Sequence, residues 1–116
     1  MLFTGLTDDE ILAIADPLMD NLMEGSNEGN HAKHVRDFTD RLKNIVTEGN
    51  LVQQCAEIRE HLGLFTDREL LGICRRENSV AVVWRQAATK TDDELMSQLV
   101  MVERDGRYLV DHALVF

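Results

Sequence analysis

Gly63 divides this chain into two parts with different hydrophobic periods, and no other feature restricts the fold so much. Before it, apolar residues recur every three to four positions; after it, they recur at every second one. A helix buries one stripe of its surface and a strand one side of its pleat. The first part therefore reads as helices and the second as strands.

Three helices are expected, over about 7–24, 30–46 and 50–62. Thr7-Asp8-Asp9-Glu10 has the pattern of a capping box, in which hydroxyl and carboxylate satisfy each other's free amides. Ile11, Leu12, Ala15, Leu18, Met19, Leu22 and Met23 follow at helical spacing. Pro17 falls inside this run and should bend the helix without ending it. Gly25 supplies a stop, and Ser26 to Asn30 reads as a connector. In the second helix Val35, Phe38, Leu42, Ile45 and Val46 form the apolar stripe. Arg36, Asp37, Asp40, Arg41 and Lys43 form its solvated face, with Asp37 and Arg41 spaced for a surface ion pair. Asn50 with Gln53 opens the third helix, which turns Leu51, Cys55, Ile58 and Leu62 inward.

Four strands are expected, over about 67–76, 80–89, 94–103 and 107–116. The turns between them are short: Glu77-Asn78, Lys90 to Asp93, and Asp105-Gly106, the last a strong hairpin signal. Turns this short force antiparallel neighbours. The predicted fold class is α+β: three N-terminal helices packed on one face of a curved four-stranded antiparallel meander, all in a single domain spanning 1–116.

Register follows from the turns. With Asp105-Gly106 central, Met101 faces Val110, Leu99 faces His112 and Ser97 faces Leu114; with Lys90 to Asp93 as the loop, Trp84 faces Leu99. One face then carries Val82, Trp84, Gln86, Ser97, Leu99, Met101, Val110, His112 and Leu114, with Tyr108 and Phe116 near the ends, which suits a helix-covered interior. The other carries Val83, Arg85, Met96, Gln98, Val100, Val102, Asp111 and Ala113. So many valines are poorly matched to water, and a second copy of the chain is the expected cover. Arg85 and Asp111 could pair across that homodimer interface.

The totals exclude some partners. A net charge of −9, with lysine and arginine scattered singly, argues against nucleic acid and anionic lipid. The longest apolar run, Val80 to Trp84, is far too short to span a membrane, and the first residues lack a basic, apolar leader. Cys55 and Cys74 form no CxxC motif and sit among apolar neighbours, so buried reduced thiols and a cytoplasmic location are expected.

Three amphipathic helices before a long antiparallel meander resemble the nuclear transport factor 2-like superfamily, the cystatin-like α+β cone. The resemblance is carried by Gly63-Leu64-Phe65, Val80 to Arg85 and Asp105-Gly106-Arg107-Tyr108, and it spans nearly the whole chain. It implies dimerisation through the outer sheet face and a pocket between the inner face and the helices. The superfamily includes isomerases, hydratases, dehydratases, accessory subunits and transport adaptors, so the fold does not select a function.

Trp84, Gln86, Ser97, Leu99, Tyr108 and His112 are the candidate ligand-binding residues. His112 is the candidate acid–base group, because an inward imidazole can move a proton near neutral pH. Neighbours that would tune it are missing from the pattern. His31 and His34, with Glu28 and Asp37 nearby, supply too few ligands for zinc, and neither a metal nor another cofactor is expected; both histidines read as surface residues at a helix start. The chain reads first as a non-enzymatic homodimeric module binding a small apolar molecule or a protein partner, with enzyme activity left open. The alternative is an isomerase- or dehydratase-like enzyme in the same cavity, with His112 as acid–base and Gln86, Ser97 or Tyr108 holding an oxygen.

Overall fold

The computed structural model describes residues 3 and 5–116. Four helices, α1 (Asp8–Glu28), α2 (His31–His34), α3 (Asp40–Ile45) and α4 (Glu48–His61), precede four strands. The strands, β1 (Phe65–Arg75), β2 (Val80–Ala88), β3 (Thr91–Arg104) and β4 (Arg107–Val115), form one antiparallel sheet in sequence order. The architecture is the expected α+β meander.

The helical half departs from expectation at its breaks. The capping box is present, with the Glu10 amide donating to Thr7 Oγ1 and the Thr7 amide to Glu10 Oε1, both at 3.1 Å. The helix then runs through Pro17 and past Gly25 to Glu28. It stops at Gly29, whose φ of 66° is left-handed. Gly25 is buried inside α1, where a Cβ would lie 2.6 Å from the His34 amide nitrogen. Its missing side chain lets α2 close against α1, and Asn21 secures the contact by donating to the Lys33 carbonyl at 2.7 Å.

The predicted second helix is two helices, because residues 37–39 have a competing role as an extra edge for the sheet. Phe38 makes a parallel bridge to Val110. The Thr39 amide donates to the Val110 carbonyl at 2.9 Å, and the Val110 amide donates to Asp37 at 2.7 Å. Thr39 then caps α3 through its hydroxyl. Ile45, predicted to face inward, is 55% exposed. The Asp37–Arg41 pair does not form: Asp37 is buried between Arg36 and Arg107, while Arg41 reaches Asp111. Thr47, not Asn50, caps α4.

Helix α1 supplies Ile11, Ala15, Met19 and Leu22 to a core completed by Phe38, Leu42, Val80, Val82, Trp84, Leu99, Met101 and Val110. Phe3 joins it against Tyr108, with ring centroids 6.0 Å apart. Each fully buried side chain of this size contributes about 1.5–3 kcal/mol of transfer free energy. Helix α4 packs instead on α1 and α2. Gly63, with φ of 82°, turns the chain from α4 into β1 where a Cβ would meet Thr89 Oγ1 at 2.1 Å.

Both register expectations need correction, with opposite consequences. Between β2 and β3 the turn is tighter than predicted: Thr91 already pairs with Ala88, and Trp84 faces Ser97 instead of Leu99. That slip is two residues, so every side chain keeps its predicted face. Between β3 and β4 the hairpin pairs Arg104 with Arg107 and Met101 with Val110, as expected. Asp111 is then left unpaired, and Val100 faces His112 while Leu99 faces Ala113. One extra residue reverses the faces of everything after it. His112 and Leu114 therefore point outward and are exposed, while Ala113 and Val115 pack against the core.

Substitutions at two glycines separate close packing from helix propensity. Gly25→Ala should destabilise the fold by about 2 kcal/mol, since the α1–α2 contact has no room for a methyl group. Gly49→Ala, in α4 with open space around it, should stabilise by about 0.5 kcal/mol. Urea denaturation of the two variants beside the parent measures both.

Candidate ligand-binding site

The residues predicted to bind a ligand do not line one cavity. Trp84, Gln86, Ser97 and Leu99 are buried in the packed centre of the sheet. The Trp84 ring lies under the Arg68 guanidinium, 5.1 Å from the ring centroid, and Arg68 reaches Asp20 at 2.6 Å. Gln86 donates to the carbonyls of Thr66 and Ala87. Its Oε1 and the Ser97 hydroxyl, diagonal neighbours on the inner face, have no partner among the described residues. Tyr108 is half-buried against Phe3. His112 faces away from the helices, which removes the basis for its acid–base role.

The opening lies further along, where α4 leaves the sheet and the end of β4 passes beneath it. A cavity of about 270 Å³ is walled by Leu22 and Met23 of α1, Leu51 and Ile58 of α4, Phe65 of β1, and the end of β4, whose inward side chains are Ala113 and Val115. Ser26, His34, Gln54 and Cys55 provide its polar atoms. No Asp, Glu, Lys or Arg is among the lining residues. Asn27 holds one wall by a two-way bond to the Phe65 backbone: its amide donates to the carbonyl at 3.1 Å and its oxygen accepts from the N–H at 3.0 Å.

The sequence places His34 on the surface at a helix start. Instead the close approach at Gly25 seats it beside α1, where its Nδ1 lies 3.0 Å from the Leu22 carbonyl and its ring meets Phe38 edge-on at 5.4 Å. A carbonyl can only accept, so Nδ1 carries the hydrogen. Burial lowers the pKa of this imidazole below the ordinary value, the Leu22 bond works against that, and the charge of His31 reinforces it. His31 turns elsewhere, to the Val46 carbonyl at 3.0 Å, so the two rings are held by different carbonyls. Among the described residues no group of three side chains could hold a metal ion. Cys55 is buried, with its sulfur 3.9 Å from Ser26 Oγ, whereas Cys74, also expected to be buried, is exposed. Sequence alone gave no pointer to this site: Gly25 reads as a helix stop and His34, nine residues later, as a surface histidine. Nothing in one sequence shows that the two touch.

The predicted interface residues also divide. Val83, Met96, Gln98 and Val100 are half-buried on the outer face, with Ala81 and Val102 nearly covered and Arg85 exposed. Arg85 pairs with Glu69 at 3.2 Å and Glu94 at 3.4 Å within its own sheet, and not with Asp111. Asp111, at the bulge, accepts from Thr39 Oγ1 at 2.8 Å and Arg41 Nε at 3.2 Å. Ala113, turned inward, belongs to the cavity. Leu71, Leu114 and Phe116 remain as large exposed apolar side chains beside the outer-face residues.

No family model matches the chain, and no curated protein matches its sequence. Solved structures do match. An NTF-2 like protein of unknown function from Shewanella oneidensis aligns over 89% of this chain and 96% of its own, with TM-score 0.55 and 14% identity. The chain has the nuclear transport factor 2-like fold. Rv3472 from Mycobacterium tuberculosis, of unknown function, matches over 90% of this chain and 70% of its own, at TM-score 0.60 and 12% identity. A Methylobium petroleophilum protein of unknown function with a cystatin-like fold covers 90% and 75%, at TM-score 0.53 and 18% identity. Among the described residues no helix is long and apolar enough to cross a membrane, which leaves the question of a β-barrel untouched.

The His34 environment has a consequence for stability. Its folded-state pKa lies below that of the unfolded chain, so the unfolded state binds more protons as pH falls below about 6.5. The urea midpoint should therefore drop between pH 7 and pH 5.5. In His34→Gln, which has no titrating ring, that part of the drop should vanish.

Proposed function

We propose that this nuclear transport factor 2-like chain is a non-enzymatic binding module. It takes a small apolar molecule into the cavity between α1, α4 and the end of β4. The observation that carries this reading is the lining itself: apolar walls around a few polar atoms, without a carboxylate or cation to form a reaction centre. At about 270 Å³ the cavity is below the ~300–1,000 Å³ of most ligand sites, which limits the occupant to about one or two rings.

The protein acts as a homodimer through the outer sheet face. Supporting this is the apolar band of Val83, Val100, Leu71, Leu114 and Phe116, bordered by Glu69, Arg85 and Glu94 with charges of both signs. A band with matched charges at its border is compatible with its own copy about a twofold axis.

Two measurements test these statements separately. Titration with tert-butylbenzene should shift the methyl resonances of Leu22, Met23 and Leu51, and Ala113→Phe, which fills the cavity, should abolish the shifts. A spectrum insensitive to such probes would end the pocket reading. Sedimentation velocity at low micromolar concentration should give about twice 13.2 kDa, and Val100→Glu should return a folded monomer. A parent protein that sediments as a monomer would remove the dimer.

A further inference from the structure

The cavity has one hydrogen-bonding atom whose role is determined by a contact outside it. His34 spends its Nδ1 hydrogen on the Leu22 carbonyl, and Nε2 has no protein partner among the described residues. A neutral imidazole with hydrogen on Nδ1 carries a lone pair on Nε2, so what His34 can offer the cavity is an acceptor. The remaining polar atoms are weaker selectors: the Ser26 hydroxyl and the Cys55 thiol face each other at 3.9 Å, and Gln54 is exposed at the rim.

Charge narrows the occupant further. A carboxylate or ammonium entering this cavity would leave water and find no opposite charge among the lining residues, which disfavours it. A wholly apolar occupant would cover Nε2 without giving it a partner. A neutral molecule with one donor meets both demands.

Building on the binding reading above, we propose that the ligand is an uncharged, mainly apolar molecule of one or two rings carrying a hydroxyl or N–H that donates to His34 Nε2. His34 is thus a specificity residue, held in one tautomer by Leu22 and kept in place by the missing side chain at Gly25. The low pKa of the buried ring agrees with this role, since a protonated imidazole would present a donor instead.

The test uses two probes of matched shape, 2-naphthol and 2-methylnaphthalene, at pH 7.5, where the phenol is neutral. Each is titrated by calorimetry into the parent protein and His34→Leu. The preference for 2-naphthol over 2-methylnaphthalene should fall by about tenfold in the variant, as expected for one lost hydrogen bond. A second readout needs no variant: 2-naphthol should move the His34 Nε2 nitrogen resonance of the parent protein, and 2-methylnaphthalene should not. If both probes bind and neither the preference nor the resonance responds, the donor assignment is wrong while the pocket stands. If neither probe binds, the binding reading and the donor assignment fall together.

Discussion

An unpaired residue at Asp111 decides what the far end of the sheet presents to the helices. Up to Val110 the last hairpin follows the register of its turn, and the core lies where an ideal meander would put it. Beyond Asp111 the parity is reversed, so small Ala113 and Val115 face inward where an unbulged strand would place His112 and Leu114. A strand carrying an imidazole and a leucine into that space would occupy the room now left as a cavity. Chemistry at the bulge anchors it: Asp111 bonds to Thr39 and Arg41, and the Thr39 segment pairs with the Val110 backbone on the strand's open side. Burial tends to raise the Asp111 pKa, but the bonds from Thr39 and Arg41 prevail and hold the carboxyl below its ordinary value. Asp37 is similar, buried yet held low by Arg36 and Arg107.

Several polar side chains near the cavity serve as fastenings. Asn21 and Asn27 spend their hydrogen bonds on backbone groups of α2 and β1, which fixes the walls. His34 spends its Nδ1 in the same way, on the Leu22 carbonyl. The charged side chains, plentiful elsewhere on the chain, form their ion pairs along the sheet margins and helix surfaces.

Much of the fold could be read directly from residue order. The capping box at Thr7, the period change at Gly63 and the Asp105-Gly106 turn are local signals, and each marks an element boundary or turn in the structure. The two-residue error at the turn after β2 did little harm, because a pleat repeats every two residues. The bulge was illegible: Asp111 resembles any polar residue in an alternating strand, and its partners Thr39 and Arg41 are about seventy positions away. For the same reason the second helix reads as continuous in the sequence. Its apolar spacing does persist through Phe38, but the unfilled edge of β4 competes for that backbone.

Sequence alone determined the class of this protein, α+β with helices before a meander. It also marked the apolar stripe of α1 and the inner face of the strands as far as Val110, since periodicity and turn chemistry act over a few positions. Tertiary structure decided the register beyond Asp111, the closeness of Gly25 to His34, and so the location and polarity of the cavity. These depend on contacts between segments remote along the chain, where one residue's shift, invisible in the pattern, exchanges the inside for the outside.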